Sequence, residues 1–412
     1  MTQVNQAPPA PVPAAPAAPK PVDTPALLTR WNLIAVVTVV VFGLLSAFVQ
    51  FLSWQADGRA ADETDQLVRV QDIQSSLHRA DALATNGYLS AGLESTSRQQ
   101  EYDRVIADVL KSIADAAEAQ PADREALAAL NQSVDDYTTD VAVAAVYNRR
   151  GFPLGIAYQT SASSELKGAE AIVKELVDAN GKRSEDAIGG QHPWLLLLVG
   201  LAALAVLFVV NRQMAQMFRR RFNSGLAIGA IIVVGVTVVA GLFAAIQAHG
   251  NKQTQDGAYR QAVDAANARS AADDAKAIES LRLINRGSGS TIEPSWEADR
   301  KAVEAAVPAG QRKSWDAYVK AHQQIVALDD SNAWKTAVIA ATTNAPNGST
   351  AALDTFDKAM NKLASESGAQ ASKELRGGRV LALLLSLISA LLGLVAAVAV
   401  SRGIDQRRKE FL

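Results

Sequence analysis

Apolar residues follow two patterns along this chain. Four runs carry no charged side chain: Leu33–Ser53, Trp194–Val210, Leu226–Ile246 and Val380–Val400, of 21, 17, 21 and 21 residues. A helix needs ~20 residues to cross the ~30 Å hydrocarbon core. Each run therefore predicts a transmembrane helix, the short second one extended by Met214, Met217 and Phe218. Between the runs, apolar positions recur at helical spacing. Leu127, Leu130, Val134, Tyr137, Val141 and Ala144 follow the 3-4 alternation of a bundle helix. Leu67, Val70, Gln74, Leu77, Asp81 and Ala84 repeat it with polar residues in the seam, which predicts looser packing. Trp315, Tyr318, His322 and Ile325 form a comparable stripe, as do Phe356, Met360 and Leu363.

Proline punctuates these patterns. Residues 1–25 hold 8 of the 14 prolines among alanines, a composition that cannot bury a core and predicts a disordered tail. Pro121, Pro153, Pro193, Pro294, Pro308 and Pro346 are expected at gaps between helices, because proline costs a helix interior ~3 kcal/mol. The outer segments then read as helices over 55–90, 98–118, 122–147 and 155–188, and over 249–285, 295–306, 311–343 and 350–377. The fold class that follows is an all-α membrane protein, four transmembrane helices carrying two tandem extracytoplasmic four-helix bundles. Its segments are a tail (1–30), a first span (31–53, read as an uncleaved anchor), bundle one (54–193) and a second span (194–211). A basic loop (212–224), a third span (225–247), bundle two (248–378), a fourth span (379–401) and a tail (402–412) complete it. Asp57-Gly58, Asp65 and Asn86 recur as Asp256-Gly257, Asp264 and Asn285, which favours an ancient duplication. Gly225-x-x-x-Gly229 and Gly241-x-x-x-Ala245 suggest close helix contacts in the third span.

Charge orients the spans. The loop Asn211–Asn223 holds Arg212, Arg219, Arg220 and Arg221 and no acid, whereas Trp54–Pro193 carries 13 basic and 23 acidic residues. By the positive-inside rule the loop and both termini are cytoplasmic, the bundles lie outside, and the protein is a multi-pass protein of the cell membrane. Arg379, at the outer end of the last span, runs mildly against the rule.

Catalytic signatures are lacking. The chain has no cysteine, no phosphate-binding loop, no H-E-x-x-H and no G-x-S-x-G. The spans carry none of the buried charges that mark transporters. The pairs Asp135/Asp136 and Asp273/Asp274 read as solvated surface, and His78 and His322 as half-buried bundle residues. No enzyme, cofactor or metal is expected, and no nucleic-acid partner. What the pattern leaves is a sensor that passes conformational change across the bilayer. A non-switching envelope scaffold and a direct amino-acid receptor are the alternatives.

Two stretches carry the candidate contacts. Ala84–Glu94 (ATNGYLSAGLE) contains Tyr88, and Tyr147–Tyr158 (YNRRGFPLGIAY) contains Asn148, Arg149, Arg150, Phe152 and Pro153. Both are expected at the membrane-distal end of bundle one. They combine the aromatic and arginine residues common in binding hot spots, although turn chemistry would use the same residues. Arg219, Arg220 and Arg221 are the candidates for cytoplasmic coupling, or serve only to set topology. These stretches, with the span–bundle–span plan, resemble the actinobacterial GlnX family of the GlnH–GlnX–PknG pathway. The resemblance implies aspartate or glutamate sensing through a GlnH-like extracytoplasmic solute-binding lipoprotein, with output to a PknG-like cytoplasmic Ser/Thr kinase. It carries over no site residues.

Overall fold

The computed structural model describes residues 24–90, 96–190, 193–218, 223–343, 345 and 348–408. All regular structure among them is helical. The proline-rich tail and Arg219, Arg220 and Arg221 lie outside the described residues. The helices are α1 (Thr24–Leu89), α2 (Thr96–Ala119), α3 (Arg124–Arg149), α4 (Leu154–Ile188), α5 (Trp194–Phe218) and α6 (Ser224–Thr254). They continue as α7 (Arg260–Ile284), α8 (Gly289–Ala306), α9 (Arg312–Asp330), α10 (Trp334–Thr342), α11 (Ser349–Arg376) and α12 (Arg379–Arg408).

Among the described residues, four helical stretches are long and apolar enough to cross a membrane: Ala26–Leu89, Trp194–Gln216, Ser224–Ile284 and Ser349–Gln406. The first apolar run and the first outer helix are one unbroken helix, α1, because no strong breaker separates them. A single π turn, Gln255–Tyr259, joins α6 to α7 in the same way.

Two compact units result. One comprises Met1–Ala47, Leu196–Val238 and Ile388–Leu412. Its core includes Val39, Phe42, Leu207, Val233 and Val400. Glycines bring its helices close. A Cβ on Gly43 would meet the Gly393 backbone at 2.7 Å, and one on Gly225 the Ala399 carbonyl at 2.4 Å. Asn223 begins α6, its Oδ1 accepting the Gly225 N–H at 2.9 Å while its Nδ2 donates to the Gly403 carbonyl at 3.1 Å. Outward-facing Leu33, Phe208, Ile231 and Leu391 leave an apolar exterior suited to lipid.

The other unit comprises Phe48–Leu195 and Val239–Leu387. It holds two hydrophobic cores within one body. The first joins Ile73 and Leu77 of α1, Val109 and Ile113 of α2, Leu130 and Tyr137 of α3, and Val173 of α4. The second joins Ala272 of α7, Trp296 and Val303 of α8, Trp315 and Tyr318 of α9, and Phe356 and Met360 of α11. Smaller clusters tie the two together, such as Leu89 with Leu283, Ile325, Ala337 and Ala341. The outer part of α1 is not loosely packed, as its polar seam predicts. Gln71, Ser75, Arg79, Asp81 and Thr85 are buried there because helices from both halves of the sequence cover it.

Two other expectations change. Pro294 lies inside α8, at its sixth residue. So near the helix start it removes one backbone hydrogen bond without breaking the element. The stretch 311–343 is not one helix but two, α9 and α10. Asn332 adopts φ +62°, and the Ala333 N–H reaches the Leu328 carbonyl at 2.8 Å while that of Asn332 reaches Asp329 at 2.9 Å. This is a Schellman termination with asparagine in the place glycine usually takes.

Candidate functional site

The turn between α3 and α4 is built from its own sequence. Gly151 takes φ +72°, the Phe152 N–H reaches the Tyr147 carbonyl and the Gly151 N–H the Asn148 carbonyl, each at 3.0 Å. This is again a Schellman motif, and Phe152 supplies its usual apolar contact by meeting Tyr147 edge-on at 6.2 Å. Pro153 then precedes α4. Asn148 Nδ2 donates to the Tyr88 carbonyl at 2.6 Å, fixing this turn against the end of α1. A Cβ on Gly155 would sit 3.1 Å from both the Tyr88 hydroxyl and the Asn148 nitrogen, so glycine permits that approach. Turn chemistry thus accounts for much of the segment. Phe152 nevertheless stays 53% exposed. Arg149 and Arg150 are exposed and, among the described residues, form no ion pair.

Tyr88, Asn148 and Arg149 meet at a cavity of about 340 Å³ between the helices of the first core. Arg150, Phe152 and Pro153 do not line it. Leu83, Ile106 and Val141 contribute apolar wall, and Gln99, Asp103 and Gln159 polar wall. Gln159 is buried with its Nε2 unpartnered, and the Tyr102 hydroxyl on the same wall is also buried and unpartnered.

Where helices of the two sequence halves meet, charge is concentrated. Arg79 donates to Glu101 at 2.7 Å and Asp354 at 2.5 Å, and Arg269 to Asp72 at 3.0 Å and Asp357 at 2.6 Å. Asp273 lies wholly buried, 3.8 Å from Arg79, with neither carboxyl oxygen hydrogen-bonded. Burial, aided by Asp357, pushes its pKa well above the usual range against the pull of both arginines. Asp273 is therefore not the solvated residue that its pairing with Asp274 suggests. Asp135 and Asp136 are exposed.

Two histidines anchor distinct clusters. His322 is wedged between Glu279 Oε2 at 2.9 Å and Glu293 Oε1 at 3.2 Å, its ring stacked on Trp296 at 3.7 Å. Lys276 Nζ donates to Glu279, the Ala341 carbonyl and Ser349 at 2.6, 2.8 and 2.7 Å. Burial opposes charge on His322, but the two glutamates outweigh it and raise its pKa. Against burial, Lys276 and His322 hold Glu279 well below the usual carboxylate range. His78 has the reverse setting. Its Nδ1 lies 3.4 Å from Glu170 Oε1 and 4.0 Å from Asp274 Oδ1. Burial lowers its pKa despite Asp274. Burial also pushes nearby Asp81, Glu170 and Asp299 up to about 7. Sequence reading missed this cluster, since its members come from four helices with no local spacing to link them.

Residues 56–189 match the family model of the actinobacterial sensor domain. The match runs from the outer part of α1 to the residue after α4, and so takes in the cavity and the α3–α4 turn. It supports a sensing or signalling role. A comparison with curated proteins and one with solved structures each find no match.

Proposed function

We propose that the protein is a multi-pass sensor of the cell membrane, with both termini and the Arg219–Arg221 loop cytoplasmic and the regions 54–193 and 248–378 outside. It performs no chemistry of its own. A GlnH-like solute-binding lipoprotein that senses aspartate or glutamate docks at the tip formed by Tyr88, Asn148, Arg149, Arg150, Phe152 and Pro153. The bias passes to a PknG-like Ser/Thr kinase. The observation that carries the reading is the sensor-domain match on residues that α1 joins, without interruption, to the first apolar run. An unbroken helix transmits shifts and rotations that a flexible linker would absorb.

The test is a pull-down of the lipoprotein on full-length protein in membranes, with and without aspartate or glutamate. Docking at the tip predicts loss of capture for Arg149→Ala with Arg150→Ala, and separately for Phe152→Ser, with melting unchanged. Capture that survives both overturns it. For coupling, Arg219→Gln, Arg220→Gln and Arg221→Gln together should weaken kinase output at normal abundance. For topology, the cysteine-free chain allows Ser97→Cys, Ser288→Cys and Gln216→Cys: the first two should label from outside in intact cells and the third should not. The cavity, with Gln159 and Tyr102 unpartnered, favours a second reading, direct binding of a small amphipathic solute. Amino-acid binding by the full chain without the lipoprotein would support it.

A further inference from the structure

We infer that His78, Glu170 and Asp274 form a binding site for a divalent cation of the zinc class, held jointly by α1, α4 and α7. One ligand atom from each residue lies within 4.8 Å of the others. Tetrahedral zinc, at ~2.0–2.1 Å from nitrogen and oxygen, sets its ligand atoms ~3.3–3.4 Å apart. The Nδ1–Glu170 distance of 3.4 Å meets that spacing, and the 4.0 Å to Asp274 needs only a side-chain adjustment. Neither distance is that of a well-formed N–H···O bond, which falls at ~2.7–3.2 Å. His78, 9% exposed, therefore points its nitrogen between two carboxylates without a good bond to either.

A second observation concerns charge. Asp81 and Asp299 act electrostatically on the same two carboxyls, Glu170 and Asp274, with Lys167 as the cation beside Glu170. Asp299 Oδ2 is buried with no hydrogen-bond partner. Buried charges elsewhere in proteins are paired or bind metal, and a divalent ion here would favour the ionised form of carboxyls that burial otherwise pushes up to about 7. A nitrogen ligand with carboxylates suits zinc; calcium prefers six to eight oxygens. The bound ion would tie helices of the sensor-domain segment to α7. The inference is independent of which partner the protein reads.

The test counts metal on the full-length protein in detergent, stripped with EDTA and then dialysed against Zn²⁺. The background is low, with no cysteine and three other histidines. We expect one tightly held zinc per chain, and four-coordinate visible bands when Co²⁺ replaces it. His78→Gln and, separately, Asp274→Asn should each lower affinity by more than the ~10–100-fold typical of outer-shell changes. Their metal-free helical content should match that of the unaltered protein. Asp274 is partly exposed, so its variant remains informative if the His78 change misfolds. No stoichiometric zinc on the unaltered protein, or undiminished affinity in either folded variant, overturns the site.

Discussion

His322 and His78 are both nearly buried, at 1% and 9% exposure, yet their surroundings differ in kind. Around His322 two cations, the imidazolium and Lys276, meet Glu279 and Glu293, and Ser349 bonds both Lys276 and Glu279. His78 instead faces the carboxyl groups of Glu170 at 3.4 Å and Asp274 at 4.0 Å, and burial lowers its pKa. The first arrangement is closed: each charge has its partner and nothing is left to bind. The second is open. The cavity beside α3 shows the same openness in Gln159 and Tyr102. Unmet polar groups occur in both cores, Gln159 and Tyr102 in the first and Asp273 and Trp315 in the second, so the contrast is between the surroundings of the two histidines and not between the two cores.

Breaking the closed cluster should have the largest effect. Glu279→Gln leaves Lys276 and His322 buried without their shared carboxylate. Removing one partner of such a pair costs ~3–5 kcal/mol, so the melting temperature of the full chain should fall by several degrees or more. Glu170→Gln in metal-free protein should do the opposite or nothing, because it relieves repulsion among carboxylates. A stability change below about 1 kcal/mol, toward greater stability, is expected by the same melting assay. Equal losses in the two variants would erase the distinction between the clusters.

pH sharpens the comparison next. His322 has a folded pKa above its ordinary 6.5. Its contribution is complete below 6.5 and is lost as pH rises through the folded value. Glu279 and Glu293, held low, contribute above their ordinary 4.5 and lose that contribution only on acidification. Between pH 6 and 8 the melting temperature should therefore decline, by roughly 2 °C for a domain of this size. His322→Gln should lessen the decline, the rest coming from Asp81, Glu170 and Asp299, whose raised pKa of about 7 also costs stability as pH rises to 7.

The turns give the smallest effects. Gly151 and Asn332 both hold positive φ, with glycine at one and asparagine at the other. Gly151→Ala should cost ~1 kcal/mol from the left-handed conformation, whereas Asn332→Gly should change stability by no more than a few tenths. Chemical denaturation of the full chain measures both.

Much of the architecture was legible in these residues. The four apolar runs announce their helices by length, and Pro121, Pro153 and Pro308 stand where the helices break. Asn332 hid the α9–α10 break because asparagine is a weaker stop signal than glycine. Pro294 misled because proline near a helix start is tolerated. Periodicity showed α1 as a helix but not its burial, which depends on what lies across from it. Turn-forming neighbours brought Tyr88 and Asn148 into one sequence-level hypothesis, and the two are hydrogen-bonded in the structure. The His78 cluster was invisible for a different reason. His78, Glu170, Asp274 and Asp299 are brought together by tertiary packing alone.

The most direct test of the contrast between the two histidines is anomalous diffraction at the zinc edge from crystals of the full-length protein grown with Zn²⁺. One peak among His78, Glu170 and Asp274, with none at His322, is the expected result. A peak at His322, or none at His78, would contradict it.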